Sequence, residues 1–108
     1  MNSTEQQQPD RLLLVDDNPT NLQVLFQALE DEGYELLVAQ SGLEAIETAR
    51  EARPQLILLD INMPGIDGYE TCRRLKDEPE TKDCVIIFLS ARGNTADRVR
   101  GLKLGAVD

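Results

Sequence analysis

Four short apolar runs are spaced along the chain, and each is typical of a β-strand. Residues 11–15, 35–39, 56–60 and 84–89 each hold four or five aliphatic or aromatic positions with few polar interruptions. Unbroken runs of this kind are typical of strands that are buried on both faces, as in a parallel sheet. The pattern therefore predicts four strands, and the run at 56–60 is unbroken until it ends on an aspartate.

Apolar residues at helical spacing lie between these strands, and capping residues mark where the helices begin. Asn18 can cap a first helix with Pro19 at its first position, and Gly33 would end that helix. Ser41 opens the sequence Ser-Gly-Leu-Glu, which matches a capping box for a second helix that runs to about residue 52. The first two strands are therefore each expected to lead into a helix.

Two further helices are expected after the third and fourth strands. Asp67 can cap a helix that runs to about residue 77, and Asn94 or Thr95 can cap a last helix that ends at Gly105. The side chains predicted to face the core from the first three helices are Leu22, Leu25, Phe26, Leu29, Leu43, Ile46, Ala49, Tyr69, Cys72 and Leu75. Strands that alternate with helices predict right-handed crossovers and a three-layer α/β fold around a parallel sheet. Residues 1–10 predict a disordered leader, so one folded domain is expected over 11–108.

Carboxylates directly follow two of the predicted strands. Asp16 and Asp17 end the first strand, and Asp60 ends the third. Parallel strands end at one edge of their sheet, where open α/β folds place ligands, so adjacent strands would bring these side chains together. Like charges at close range are unfavourable without a cation among them, and Mg²⁺ prefers oxygen ligands. The pattern predicts a Mg²⁺ site in which Asp60 can also act as a nucleophile toward phosphorus.

The charge of the chain narrows the choice of partners. Its 108 residues include 11 basic and 20 acidic side chains, which gives a net charge of −9 at pH 7. This balance argues against direct nucleic-acid binding, which needs clusters of Lys and Arg. Cys72 and Cys84 are isolated, so we expect reduced thiols in a cytoplasmic protein. No segment approaches transmembrane length and no basic region opens the chain, so no membrane association is expected.

The motifs and their order resemble those of the receiver domains of two-component response regulators. The matching stretches are Val15-Asp16-Asp17-Asn18-Pro19, Leu59-Asp60-Ile61-Asn62-Met63-Pro64-Gly65, Asp67-Gly68, Leu89-Ser90-Ala91 and Gly105-Ala106-Val107-Asp108. The resemblance covers the chain from about residue 11 to its end. It implies a flavodoxin-like, doubly wound parallel sheet with strand order 2-1-3-4, and a phosphoacceptor switch that is not a conventional enzyme.

The resemblance also implies a role for each residue of the site. Asp60 would accept a phosphoryl group from a phosphohistidine on a histidine kinase or a histidine phosphotransfer protein. Mg²⁺ would be held by Asp16, Asp17, Asp60 and the backbone carbonyl of Asn62. Ser90 would be the hydroxyl switch residue, and Asn62 and Arg92 would occupy the positions that tune the phosphorylation lifetime.

One departure from the family pattern concerns the end of the chain. The family continues into a fifth strand with an aromatic switch residue, then a Lys-Pro pair and a fifth helix, whereas this sequence ends at Asp108. We therefore expect a shortened receiver domain with no counterpart of the family's lysine and with weakened phosphorylation chemistry. The edge of the 84–89 strand would be uncovered, and association with a second copy through this edge is expected.

Three alternatives to a phosphorylated switch remain open. A dehalogenase-type phosphohydrolase also uses an aspartyl phosphate, but its motif needs a second Asp where this chain has Asn62. An FMN-binding flavodoxin would have the same strand order, but Asp16 and Asp17 would repel the flavin phosphate. The third alternative is a receiver scaffold that is not phosphorylated and serves only in binding or assembly.

Overall fold

The computed structural model describes residues 10–89, which form a four-stranded parallel sheet with helices on both faces. The strands are β1 (Arg11–Val15), β2 (Glu35–Ala39), β3 (Leu56–Asp60) and β4 (Val85–Leu89). Their order in the sheet is β2-β1-β3-β4, and every neighbouring pair is parallel. The predicted sheet order is confirmed, and β4 begins one residue later than the apolar run suggested.

Three helices connect the strands, and each begins at a residue that the sequence marks as a cap. They are α1 (Pro19–Leu29), α2 (Gly42–Ala52) and α3 (Gly68–Lys76). Their N-caps are Asn18, Ser41 and Asp67, whose side-chain oxygens accept hydrogen bonds from backbone N–H groups of the first helical turn. These short local signals therefore fix where the helices start.

The core is divided by the sheet into two apolar layers. On one face, Leu13, Val15, Ile57 and Leu59 pack with residues of α2 and with Leu75 of α3. In the opposite layer, Leu22, Leu25 and Leu29 of α1 pack against the alternate strand positions, which are Leu12, Leu14, Leu58, Ile87 and Leu89. Because β1 and β3 are covered on both faces, they carry the continuous apolar runs that are typical of parallel sheets.

Three side chains that were predicted to face the core are largely exposed. Leu43 is 58% exposed, Tyr69 is 60% exposed and Phe26 is 39% exposed. Leu43 and Tyr69 lie in the first turns of α2 and α3, where Gly42 and Gly68 are the buried positions instead. In both helices, the residue that contacts the neighbouring element is the small glycine, which lies one position before the predicted side chain.

Several expectations fall on residues outside the described range. These are the disordered leader up to residue 9 and the last helix, which was expected between residues 94 and 105. The expected pairing of a second copy with the edge of β4 stays a prediction, because the residues that follow Leu89 are not described. Within residues 10–89, no helix is both long and apolar enough to cross a membrane. Cys72 and Cys84 are both free thiols, as expected.

One exposed ion pair links α2 to the segment after α3, and others lie within α3 and its C-cap. The Arg50 guanidinium donates two hydrogen bonds of 2.7 Å to the carboxylate of Glu78, which follows α3. Within α3, hydrogen bonds from Arg73 and Arg74 lower the pKa of Glu70 to about 2. Surface pairs of this kind stabilise a fold weakly, so they orient the two helices more than they hold them together.

Gly42 lies at a close contact between α2 and the start of α3. A Cβ at this position would lie 2.2 Å from Thr71 Oγ1 and 2.6 Å from Ile66 Cγ1. Thr71 is completely buried, and its hydroxyl donates to the Asp67 carbonyl at 2.7 Å, so it cannot turn away without losing that bond. The contact between the two helix N-termini therefore requires glycine.

Gly42→Ala is expected to lower the free energy of unfolding by about 1–3 kcal/mol because the added methyl group overpacks this contact. Urea denaturation of both proteins measures the change. In a Thr71→Ala background the same substitution should be less damaging, since the nearest clashing atom is gone. A gain in stability of the kind that Gly→Ala gives in an open helix would show that the contact is not tight.

Arg53 ends α2 in a backbone conformation that an arginine adopts with difficulty. It has φ 49° and ψ 62°, in the left-handed region, and its N–H donates to the Ala49 carbonyl at 2.8 Å. This is the position after a helix at which glycine is usually found. Arg53 is the only non-glycine residue with positive φ within the described range.

Arg53→Gly is expected to raise the free energy of unfolding by about 0.5–1 kcal/mol, because relief of the strained conformation exceeds the entropy that glycine loses on folding. Urea denaturation again gives the value. Arg53→Ala removes the same side chain but keeps the Cβ, and it should give no gain. Equal stabilisation by both variants would assign the effect to the arginine side chain and contradict the backbone argument.

Candidate functional site

Three carboxylates from two strand ends meet at one edge of the sheet. Asp16 and Asp17 follow β1, Asp60 is the last residue of β3, and one oxygen from each lies within 4.8 Å of the others. The two strand ends are adjacent because β1 pairs with β3 in a register that places Val15 beside Leu59. The structure thus brings together the three acids that the strand-end pattern singled out.

Asp16 is almost completely buried and is held by neighbours at the start of α1. Its side chain is 2% exposed. The backbone N–H of Asn18 donates to Oδ1 at 2.9 Å, and the Asn21 amide donates to Oδ2 at 3.3 Å. Asn18 also caps α1, since its own Oδ1 accepts from the N–H of Thr20 at 2.8 Å. The cap of α1 and the orientation of Asp16 are therefore parts of one local arrangement.

Asp60 lies at the base of the site and has 9% of its surface exposed. The N–H of Asn62 lies 3.4 Å from Asp60 Oδ1, which directs the following loop around the carboxylate. Met63 of this loop is buried among the residues between the sheet and α2 and α3. The loop is therefore anchored by an apolar side chain, while Asn62 remains exposed at its surface.

Gly68 allows α3 to begin directly against the end of β3. Its N–H donates to the Ile61 carbonyl at 2.8 Å. A Cβ at this position would lie 2.5 Å from the backbone oxygen of Asp60 and 2.7 Å from the Cα of Ile61. Any larger residue would displace the backbone that carries Asp60, so this glycine belongs to the construction of the site.

The chemistry of this cluster fits a hard divalent cation. Its side-chain donors are carboxylate oxygens, which suit Mg²⁺ or Ca²⁺ and not the softer metals that prefer sulfur and imidazole. Three carboxylates at this separation repel one another, and a cation between them removes the repulsion. Asp17 is exposed whereas Asp16 and Asp60 are buried, so Asp17 is the member of the cluster that is in contact with solvent.

Two of the predicted site residues cannot be placed. Ser90 and Arg92 lie outside the described residues. Asn62 lies on the loop after β3 as expected, and the role of its carbonyl as a metal ligand stays a prediction.

The sequence-based prediction missed two residues that shape the site. Asn21 holds Asp16, and its signal was a polar residue with a short amide side chain in the first turn of α1. Gly68 enters the sequence-based prediction only as part of a motif, although two glycines within eight residues after a strand are a sign of close backbone approach.

Comparison with known proteins identifies the family of the chain. A family model described as the response regulator receiver domain matches residues 12–108. The response regulator PleD of Caulobacter vibrioides is 41% identical over 98 residues, which are 91% of this chain and 22% of PleD. The protein PilH of Pseudomonas aeruginosa is 36% identical over 98 residues, and the match covers 81% of its length.

A solved structure with the same fold contains a magnesium ion. The receiver domain of the sensor histidine kinase PA1611 from Pseudomonas aeruginosa has a TM-score of 0.75 and 25% identity, over 89% of this chain and 96% of that one. Its crystal structure contains a magnesium ion coordinated in the active-site cleft. The relatives differ widely in length, since this chain spans about a fifth of PleD but about four fifths of PilH. The family match and the parallel sheet in order 2-1-3-4 together show that the chain belongs to the response regulator receiver domains.

Proposed function

We propose that Asp60 accepts a phosphoryl group from a phosphohistidine, with Mg²⁺ held by Asp16, Asp17, Asp60 and the backbone carbonyl of Asn62. One observation carries this proposal: a buried carboxylate at the end of β3 lies within 4.8 Å of two further carboxylates at the end of β1. The magnesium ion in the PA1611 receiver domain supports the same choice of metal.

The transfer exchanges a nitrogen–phosphorus bond for an oxygen–phosphorus bond. A carboxylate oxygen of Asp60 attacks phosphorus, and the bond to the histidine nitrogen breaks with its electron pair going to the imidazole. The product on this chain is an acyl phosphate. When bound, Mg²⁺ supplies positive charge that offsets the charge of the phosphoryl oxygens.

Neighbouring residues restrict the access to Asp60 and hold the side chain of Asp16. Burial and the loop contact from Asn62 limit the directions from which a phosphoryl group can approach Asp60. Asn18 and Asn21 hold the carboxylate of Asp16 in place before the metal arrives. We assign the hydroxyl switch to Ser90 and the tuning of the phosphorylation lifetime to Asn62 and Arg92, in line with the family pattern.

The proposed partners follow from this chemistry. A histidine kinase or a histidine phosphotransfer protein would supply the phosphoryl group, and the chain would act as a switch and not as an enzyme with a diffusible substrate. The net charge of −9 supports protein partners over direct nucleic-acid partners. We also propose that the protein is located in the cytoplasm.

Phosphoramidate tests the assignment because it contains the same kind of nitrogen–phosphorus bond as phosphohistidine. Wild-type protein incubated with phosphoramidate and Mg²⁺ should gain one phosphoryl group by intact mass, and hydroxylamine should remove it as expected for an acyl phosphate. Asp60→Asn should gain none, because an amide oxygen is a poor nucleophile toward phosphorus.

Asp67→Asn is the matched control for this experiment. It changes an aspartate to asparagine seven residues along the same loop, and asparagine also caps helices well, so labelling should be unaffected. If the Asp60→Asn variant still gained a phosphoryl group, the acceptor would be a residue other than Asp60. A wild-type protein that folds but is never labelled would favour the alternative of a binding or assembly module that is not phosphorylated.

Asn21→Ala is expected to weaken Mg²⁺ binding about tenfold, because a carboxylate ligand loses the hydrogen bond that orients it. A Mg²⁺ titration followed by amide chemical shifts in the NMR spectrum gives the dissociation constant. Gln23→Ala is the control, since it removes an exposed amide from the same helix. Unchanged affinity in Asn21→Ala would mean that the Asn18 N–H alone is enough to hold Asp16.

A further inference from the structure

The outer edge of β2 carries backbone groups that face away from the sheet. The Glu35 N–H donates to the Asp10 carbonyl at 2.9 Å, and the Ala39 carbonyl accepts from the Asp16 N–H at 3.2 Å. In a parallel strand, the N–H and C=O of one residue both point to the strand on one side, and those of the next residue point to the other side. Because Glu35 and Ala39 point toward β1, the N–H and C=O groups of Leu36 and Val38 point away from the sheet. Within residues 10–89, β2 is an end strand of the sheet.

A groove between α1 and β2 runs beside this edge. It encloses about 430 Å³ and is lined by Pro19, Leu22, Gln23, Phe26, Gln27, Glu30, Val38 and Gln40. Val38 is 45% exposed and Phe26 is 39% exposed, so its apolar surface is open to solvent. Val38 lies on the α1 face because its register partner is Leu14, which packs in the α1 layer. An additional strand on the outer edge of β2 would place alternate side chains in this groove.

Acidic residues border one end of the groove. The turn between α1 and β2 contains Glu30, Asp31 and Glu32, followed by Glu35 at the start of the strand. Glu35 is paired with Arg11, but within the described residues neither Glu30 nor Asp31 forms an ion pair. The groove between α2 and α3 is different, because its arginines are already paired with Glu70, Asp77 and Glu78. The α1–β2 groove therefore combines exposed apolar surface with acidic residues at one end, and this combination suits a cationic occupant that also carries apolar side chains.

We propose that β2 and the α1–β2 groove bind an extended, cationic segment of a partner protein by strand addition. The backbone of the segment pairs with Leu36 and Val38, its apolar side chains lie against Phe26 and Val38, and its Lys or Arg side chains face Glu30 and Asp31. A second copy of this chain is a poorer occupant, because two chains that each carry a net charge of −9 repel one another. This docking surface is separate from the acidic cluster and does not depend on phosphorylation of Asp60.

The test uses the full ¹⁵N-labelled chain and an acetylated, amidated octapeptide of alternating lysine and valine. Added peptide should slow hydrogen exchange of the Leu36 and Val38 amides about tenfold or more, because both become hydrogen-bonded. The shift changes should be confined to β2, the turn before it and α1. Binding should weaken as salt is raised, since part of the attraction is between exposed charges.

Val38→Lys and Val85→Lys form a matched pair of variants. Both replace an exposed valine on an end strand of the described sheet and change the charge equally, and both positions lie in register with residues of the α1 layer. Val38→Lys should weaken peptide binding about tenfold or more, because it puts a charge into the apolar contact, whereas Val85→Lys should change it less than about twofold. Gln27→Lys, on the helical wall of the groove, repeats the test at a site that cannot disturb the strand.

A second pair of variants tests the charge. Neutralising Glu30 and Asp31 together, as Glu30→Gln and Asp31→Asn, should weaken the peptide about threefold to tenfold at low salt. Neutralising two exposed acids of α2, as Glu47→Gln and Glu51→Gln, changes the net charge equally and should have a smaller effect.

Three results would overturn the proposal. The first is equal affinity of the peptide for Val38→Lys and Val85→Lys, which would show that nonspecific attraction between charges accounts for the binding. The second is unchanged exchange at Leu36 and Val38 when the peptide is saturating. The third is slowed exchange at these two amides without peptide, together with a doubled mass in solution, which would make a second copy the occupant.

Discussion

The parallel pairing of β1 with β3 is the contact on which the site depends. It places Val15 beside Leu59, so the residues that follow these strands emerge together at one edge of the sheet. A shift of one residue in this register would turn the inward side chains of a strand to the opposite face, and both faces are packed here. The apolar layers on the two faces therefore fix the register, and the register fixes the separation of the carboxylates.

The same packing holds together charges that repel one another. Asp16 and Asp60 are buried near each other at the end of two strands whose other residues are aliphatic. Their proximity is unfavourable by itself, and it persists because the strands below them cannot move apart without exposing the core. The acidic edge of the sheet is thus supported by hydrophobic burial a few residues away.

Small residues and caps determine how the helices approach this edge. Gly42 lets α2 contact Thr71 at the start of α3, and Gly68 lets α3 begin against the backbone of Asp60. On the other face, Asn18 caps α1 and its N–H also holds Asp16. The arginines beside α2 and α3 are paired with Glu70, Asp77 and Glu78, whereas Glu30 and Asp31 before β2 form no ion pair with any residue in the range 10–89. This difference in charge pairing is why we propose the β2 side, and not the α2–α3 side, as the surface for a cationic partner.

Much of this arrangement is determined by the amino-acid sequence alone. Unbroken aliphatic runs determined the strands, and Asn18, Ser41 and Asp67 determined the starts of the helices, because both signals act through neighbouring residues. The aspartates at the ends of β1 and β3 pointed to the site because parallel strands end at one edge of their sheet. The tertiary structure decided what depends on residues far apart in the chain. It turned Leu43 and Tyr69 outward, because Gly42 and Gly68 occupy the contacts that helical spacing had assigned to larger side chains. It also recruited Asn21 to Asp16 and opened a groove between Phe26 and Val38, since only the folded sheet sets the distance between a helix and the end strand beside it.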